Sequence, residues 1–310
     1  MDYKAFIEEQ VLAIRNAVGA GLAINALSGG VYSSVVTVLG HRALGDRLKT
    51  VFIENGLMRE GEPKRVVESM ADMCIPVEVV DARREFLQAL AGLTDPEDKR
   101  NAITRTFYSK VFGDLVRSSG AKHLLHGTIL TDIEETVAGV KRQHNILAQL
   151  GIDPQKEYGY HVLEPLAALR KDGVREVARL LGMAPSIARR MPFPGPALAT
   201  RIVGEVTGPR LATVRAATSI VEEELAGTEV FQYLAVLLAD KATGIRDGKR
   251  EFGEIIVVRC VDSVDARVAS VVELPWEKLH RISARITQIP GVNRCLYDLT
   301  PKPPATIEYV

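Results

Sequence analysis

Leu22-Ala23-Ile24-Asn25-Ala26-Leu27-Ser28-Gly29-Gly30-Val31-Tyr32-Ser33-Ser34 is a short apolar run that breaks at a glycine pair and resumes with helical spacing. The run reads as a buried strand, Ser28-Gly29-Gly30 as a tight loop, and residues 33–44 as a helix. Glycines let a backbone approach an anion closely. A helix start adds N–H donors and a favourable dipole, and Ser28, Ser33 and Ser34 add hydroxyls. The spacing therefore points to a phosphate loop, although an ordinary strand-to-helix turn has the same outline. Neither GxxxxGK[ST] nor GxGxxG occurs in such a setting, so a kinase-like or hydride-transfer reading has no motif behind it.

Outward from this loop, strand-like and helix-like segments alternate. Strands are expected at 49–54, 77–80 and 123–127, with helices at 62–73, 83–91, 95–117 and 172–181. That alternation means crossover units and a mainly parallel sheet, whose ligands bind beyond the carboxyl ends of the strands. Ser28, Glu54 and Gly127 fall there. Residues 134–160 lack a core pattern and read as a long excursion, a form often taken by lids. Met191-Pro192-Phe193-Pro194-Gly195-Pro196 excludes a helix interior or a central strand and marks a boundary. Beyond it, a helix at 208–226, a strand at 231–238, a hairpin turn at Asp247-Gly248 leading into 254–261, a helix at 276–288 and a strand at 294–299 form a smaller α+β domain. The expected domains are thus 1–188 and 189–310.

Length and composition agree. A chain of 310 residues suggests two domains, at roughly 100–200 residues each. Apolar residues at 46% and charged residues at 25% are ordinary globular usage and exclude disorder as the main state. Lys plus Arg and Asp plus Glu each total 39, which speaks against a nucleic-acid binder relying on bulk charge. Cys74, Cys260 and Cys295 form no CxxC pair, so the expectation is reduced thiols in a cytoplasmic protein. The start of the chain has no signal-peptide core, and no run is long enough to span a membrane. His123 and His126 have HxxH spacing without a further evident ligand, which is weak support for zinc.

At the level of motifs, Ser-Gly-Gly-Val-x-Ser-Ser after the first strand resembles the signature loop of the N-type ATP pyrophosphatases. Other segments narrow the resemblance to the synthetase part of GMP synthase: Phe52-Ile53-Glu54-Asn55-Gly56, Gly127-Thr128, Asp132 with Glu135, Lys141 with His144-Asn145, Leu163-Glu164-Pro165-Leu166, Pro192 to Pro196, Arg201-Ile202, and Lys302-Pro303-Pro304-Ala305-Thr306-Ile307-Glu308. It runs in order over nearly the whole chain. The resemblance implies an α/β fold. A parallel-sheet domain of the adenine-nucleotide alpha-hydrolase type would be followed by a smaller α+β dimerisation domain.

It also implies a reaction. ATP with magnesium adenylates xanthosine monophosphate (XMP), pyrophosphate leaves, and ammonia displaces AMP to give GMP. By the resemblance, Ser28, Gly29, Gly30, Val31, Tyr32, Ser33, Ser34, Glu54 and Gly127 hold ATP. Asp132 is a magnesium ligand and catalytic residue, and Lys141 and His144 belong to a catalytic lid. Arg201, Gln232, Arg294, Lys302, Thr306, Ile307 and Glu308 bind XMP. Expected partners are XMP or another purine nucleotide, ammonia from a separate glutamine amidotransferase subunit, and a second copy in a homodimer, with neither a membrane nor a nucleic acid. No cysteine sits in a nucleophile-elbow context, consistent with a glutaminase elsewhere.

The chain departs from the family pattern at Tyr32, where the loop has Asp. Tyrosine is neutral at pH 7 and a poor magnesium ligand. Glu54 stands for Asp, His126 for Gln, Gln143 for His, and Asp240-Lys241-Ala242-Thr243 for Pro-Val-Arg-Ser. These departures leave two alternatives to the enzyme open. One is a catalytically impaired paralogue that binds a purine nucleotide; the other adenylates a different substrate.

Overall fold

In the computed structural model, residues 1–137, 159–188, 191, 193–264 and 266–310 are described. The chain divides into two compact units. The first takes in Met1–Glu54, Glu62–Ala82 and Thr104–Arg190, and the second Asn55–Gly61, Arg83–Ile103 and Met191–Val310.

Chain order begins α1 (Tyr3–Val18), β1 (Ala23–Ala26), α2 (Val31–Leu44), β2 (Leu48–Glu54), α3 (Glu62–Ala71) and β3 (Glu78–Asp81). It continues with α4 (Arg83–Leu90), α5 (Pro96–Arg105), a π-helical turn (Thr106–Phe112), α6 (Gly113–Ser119), β4 (His123–Leu125), α7 (Leu130–Val137) and β5 (His161–Leu163). Then come α8 (Lys171–Leu180) and α9 (Pro185–Ala188). Among the described residues the first unit holds a five-stranded parallel sheet in the order β3-β2-β1-β4-β5. Short apolar strands suit a sheet buried on both faces, and Ile24, Val51, Phe52 and Leu124 are fully enclosed.

The structure departs from the sequence reading in this unit. The helix expected over 95–117 is interrupted by the π-helical turn, where an extra residue per turn rotates Phe107, Tyr108 and Phe112 out of the α-helical register. Strand β5 was not anticipated, because three residues carry too little alternation to register. The excursion expected over 134–160 lies mostly outside the described residues.

One buried polar chain ties the centre together. Asn25, on β1 and 1% exposed, donates through Nδ2 to Thr37 Oγ1 on α2 at 2.6 Å and accepts at Oδ1 from Thr50 on β2 at 2.9 Å. Thr37 in turn donates to the Ser33 carbonyl at 2.8 Å. Each member has a partner, as a buried network requires.

The second unit includes a 3-10 turn (Ala197–Arg201), α10 (Gly208–Glu224), β6 (Gln232–Arg246), β7 (Lys249–Asp262), β8 (Ser270–Val271), α11 (Trp276–Ile286) and β9 (Val292–Tyr297). Strands β6 and β7 form a long antiparallel hairpin, with β8 antiparallel and β9 parallel to β7. Its turn is Asp247-Gly248, both at positive φ (50° and 73°), as a twisted two-residue hairpin demands. Strand β6 runs eight residues past the expected 238, across a register shift between Leu237 and Lys241.

Arg259 on β7 is fully buried. It donates to Asp298 Oδ2 and the Thr300 carbonyl, both at 2.7 Å, and to the Thr306 carbonyl at 3.0 Å. Tyr309 donates to the same Asp298 oxygen at 2.9 Å. One guanidinium therefore holds the terminal segment onto the sheet. Removing one member of a buried ion pair costs about 3–5 kcal/mol. Arg259→Leu is expected to lower the thermal unfolding midpoint and to expose residues after 298 to carboxypeptidase. An unchanged midpoint with unchanged digestion would remove this role.

Candidate nucleotide sites, one in each unit

In the first unit the strand order reverses direction between β1 and β4, which makes their carboxyl ends a topological switch point. Ser28 to Ser34 leave β1 there, and His126-Gly127-Thr128 leave β4. Gly29 has φ +76°, which suits glycine. Ser33 Oγ donates to the Gly30 carbonyl at 3.0 Å and accepts from the Ser28 amide at 3.2 Å. Its one hydrogen being spent, it also accepts from Ser28 Oγ at 2.9 Å. No side chain caps α2, whose first turn opens beside this loop. A Cβ at Gly127 would lie 3.3 Å from the Ser33 nitrogen and 3.3 Å from the Tyr32 carbonyl carbon. Glycine thus lets the end of β4 come against the helix start.

A cavity of about 140 Å³ sits at this junction. Its lining includes Ser28, Gly30, Tyr32 and Ser33 together with Phe107, Tyr108 and Phe112 of the π-helical turn and His126. The Phe107 and Phe112 rings are stacked, 5.8 Å apart. Donors and aromatic rings around one cavity suit a phosphate-bearing ligand with a flat base.

Behind His126 runs a short relay. Thr128 Oγ1 donates to Glu164 Oε1 at 2.6 Å, and His126 Nδ1 is 2.9 Å from Thr128 Oγ1. His126 Nε2 lies 3.5 Å from the Tyr108 hydroxyl. Burial holds the His126 pKa below its ordinary value, with the Glu164 charge opposing. Burial also raises the Tyr108 pKa, so the phenol stays protonated.

Glu54 ends β2 and pairs in register with Asp81 at the end of β3. Asp132 lies on α7; Lys141 and His144 lie outside the described residues. Among the described residues, no group of three or more His, Cys, Asp or Glu side chains is placed to hold a metal. With a phenol at position 32, the loop itself offers a magnesium ion no carboxylate. His123 packs against His161, ring centres 5.7 Å apart, at the amino ends of β4 and β5, away from the loop.

The second unit gathers another polar cluster. Arg201, 2% exposed, forms a fork with Glu308 at 3.2 Å to each carboxylate oxygen. Gln232 Nε2 donates to Glu308 Oε1 at 2.5 Å. Thr306 Oγ1 donates to the Glu308 carbonyl, and Ile307 is buried. Phe193 lies under two guanidiniums, Arg59 at 4.5 Å and Arg201 at 5.0 Å from its ring centre. Arg201, Gln232, Thr306, Ile307 and Glu308, scattered in sequence, therefore meet.

Lys302 instead donates to the Ala266 carbonyl at 2.8 Å. Arg294 donates to the Thr243 carbonyl at 3.3 Å. Arg294 pairs with Ile255 on β7 whereas Gln232 pairs with Val261, so the two sit roughly 20 Å apart along the sheet. Lys99 is a residue that sequence reasoning missed. It is 2% exposed, and its Nζ donates to the Ile202 carbonyl at 2.8 Å, next to Arg201. Burial and the Arg210 charge push its amine down to about 8. Burial pushes the Cys260 and Cys295 thiols up to about 11, so neither is a thiolate at neutral pH.

Known proteins resemble this chain in sequence and in fold. A family model described as the GMP synthase C terminal domain matches residues 219–309. The fold of the NMN synthetase from Francisella tularensis is similar, with a TM-score of 0.50 at 15% identity over 64% of this chain and 78% of that one. One of the subunits of the glutamine-hydrolyzing GMP synthase of Archaeoglobus fulgidus is 49% identical over 310 residues, covering 100% of both chains. The corresponding subunit from Pyrococcus horikoshii is 47% identical over 313 residues, again covering 100% of both. Sharing nearly half of its residues with these relatives from end to end, the chain belongs to the GMP synthase family.

Proposed function

We propose that this chain is a GMP synthase-type ATP pyrophosphatase, an ATP-dependent ligase that adenylates XMP and aminates it with ammonia to GMP. AMP and pyrophosphate leave. The single observation that carries this reading is the Ser28–Ser34 loop, at the switch point of a parallel sheet and against the Gly127 backbone, in a chain of this family. Pyrophosphate is a leaving group whose charge grows in the transition state, and preoriented N–H and O–H donors stabilise it there. Residues 1–188 supply this chemistry.

Residues 189–310 take the XMP and mediate a homodimer. Arg201 and Gln232 hold the Glu308 carboxylate in one orientation, ready to accept from a purine N–H, and Phe193 offers an apolar face. The exposed Ile245 (77%) and Phe252 (69%) on the β6–β7 hairpin support a self-association face. Magnesium accompanies the ATP phosphates, with Asp132 as the one protein ligand proposed. Lys141 and His144 are proposed to close on the reacting centre. Ammonia comes from a separate glutamine-hydrolysing subunit. The relatives' names support this, since each is one subunit of a glutamine-hydrolyzing enzyme. Among the described residues no helix is long and apolar enough to cross a membrane. A cytoplasmic location is part of the proposal.

The protein incubated with Mg-ATP, XMP and ammonium is expected to form GMP, AMP and pyrophosphate in equal amounts by chromatography. Tyr32→Asp, run beside it, should reach half-maximal rate at lower magnesium. Product from Tyr32→Asp alone would identify an impaired paralogue, and silence from both would overturn the reading. Glu308→Gln should raise KM for XMP roughly 10–100-fold, the loss of one charged hydrogen bond, and leave KM for ATP unchanged. Equal changes in both constants would remove Glu308 from the XMP site. Light scattering should give the mass of two chains, and Phe252→Glu should shift it toward one.

A further inference from the structure

His126 lines the loop cavity without a role in the reading above, and its surroundings define its hydrogens. Thr128 has one hydroxyl hydrogen, and the 2.6 Å contact with Glu164 uses it. A carboxylate only accepts, so toward His126 Nδ1, 2.9 Å away, Thr128 Oγ1 also only accepts. Nδ1 therefore carries a hydrogen, and in the neutral ring Nε2 carries a lone pair. The Tyr108 phenol, at 3.5 Å, is at the outer limit of a hydrogen bond to that lone pair. The backbone of the next residue, Gly127, adjoins Tyr32 and Ser33.

A lone pair repels a phosphate oxygen, whereas an added proton turns the same atom into a donor. Among the described residues, the charged or titratable groups placed near the ring are these four. Glu164 stands behind it through Thr128; Tyr108 lies on the π-helical turn, with Tyr160 near the phenol; Tyr32, on α2, lines the same cavity. None is a cation, and the carboxylate favours a charged ring. Burial alone opposes protonation. An anion in the same cavity acts against burial, because an opposite charge within a few ångströms stabilises the imidazolium.

We propose that His126 takes up a proton from solvent at Nε2 when pyrophosphate occupies the Ser28–Ser34 loop, and as imidazolium neutralises part of the leaving group's charge. Glu164 and Thr128 are the positioning residues that hold its other nitrogen. This rests on the loop being the pyrophosphate site. Pyrophosphate binding is then proton-linked through this chain, and is tighter as pH falls toward the ordinary histidine range.

Calorimetry with inorganic pyrophosphate, with and without magnesium chloride, in buffers of different ionisation enthalpy at pH 7.5, counts the protons exchanged. The anion's own titration is common to all proteins compared. The unmodified protein is expected to take up more than His126→Gln, by about half to one proton per site, and Glu164→Gln should fall between. On the unmodified protein, nitrogen-15 spectra of the histidines should show one imidazole passing from neutral to doubly protonated as pyrophosphate saturates. Binding with equal proton counts, or no histidine change, overturns the proposal and leaves the loop reading standing. Absence of binding under both conditions overturns both.

Discussion

The first unit depends on the hydrogen bonds of one buried side chain. Asn25 faces Thr37 on α2 and Thr50 on β2 from the centre of the sheet. Apolar packing of Val35, Val36 and Leu39 on the strands is non-directional and tolerates sliding. An amide with two satisfied partners does not, since a shift strands buried polar groups at about 1–3 kcal/mol each. The helix is thereby set at one height against β1, and Thr37 passes the constraint on to the Ser33 carbonyl. The loop between Ala26 and Val31 has its ends placed by this network, which is the preorganisation an anion cradle requires.

The second unit solves a similar problem with charge. Its polar cluster draws on three distant stretches, around Arg201, Gln232 and Glu308. The last of these lies on a terminal segment with no regular structure. Arg259 substitutes for a ladder there, with donors to Asp298, Thr300 and Thr306. Lys99 does the same at the other side by holding the Ile202 carbonyl. Arg259 is paired with Asp298, whereas Lys99 is held by a carbonyl and its amine is pushed down to about 8 by burial and the Arg210 charge. Glu308 is half-buried, and its hydrogen bonds to Arg201 and Gln232 set its orientation.

The parallel sheet and the loop were legible because their signals are local. An apolar run, a glycine pair and a 3.6-residue period lie within thirteen consecutive residues, Leu22 to Ser34. The Asp247-Gly248 turn was legible for the same reason, since its backbone demands those residue types. The π-helical turn left no trace, because inserting one residue per turn changes which side chains face inward and not the composition. Lys99 was missed because nothing near it in sequence marks a lysine that loses its solvent. The interleaving of 55–61 and 83–103 with the second unit was missed too, since a helical period does not say which body the helix packs against.

The sequence alone determined the alternating α/β class, the glycine-pair loop after the first strand and the ordered segments that mark the GMP synthase family. Each of these is a matter of residue types in order. Only the tertiary structure decided which of those residues meet. It joined Arg201 to Glu308 across 107 positions and set Arg294 well away along the same sheet. It also put His126, which follows β4, on the same cavity as the loop that follows β1. The tautomer of that histidine follows from Glu164 on another strand's end. Long-range proximity of this kind comes from how strands are ordered in the sheet, and no spacing along the chain encodes it.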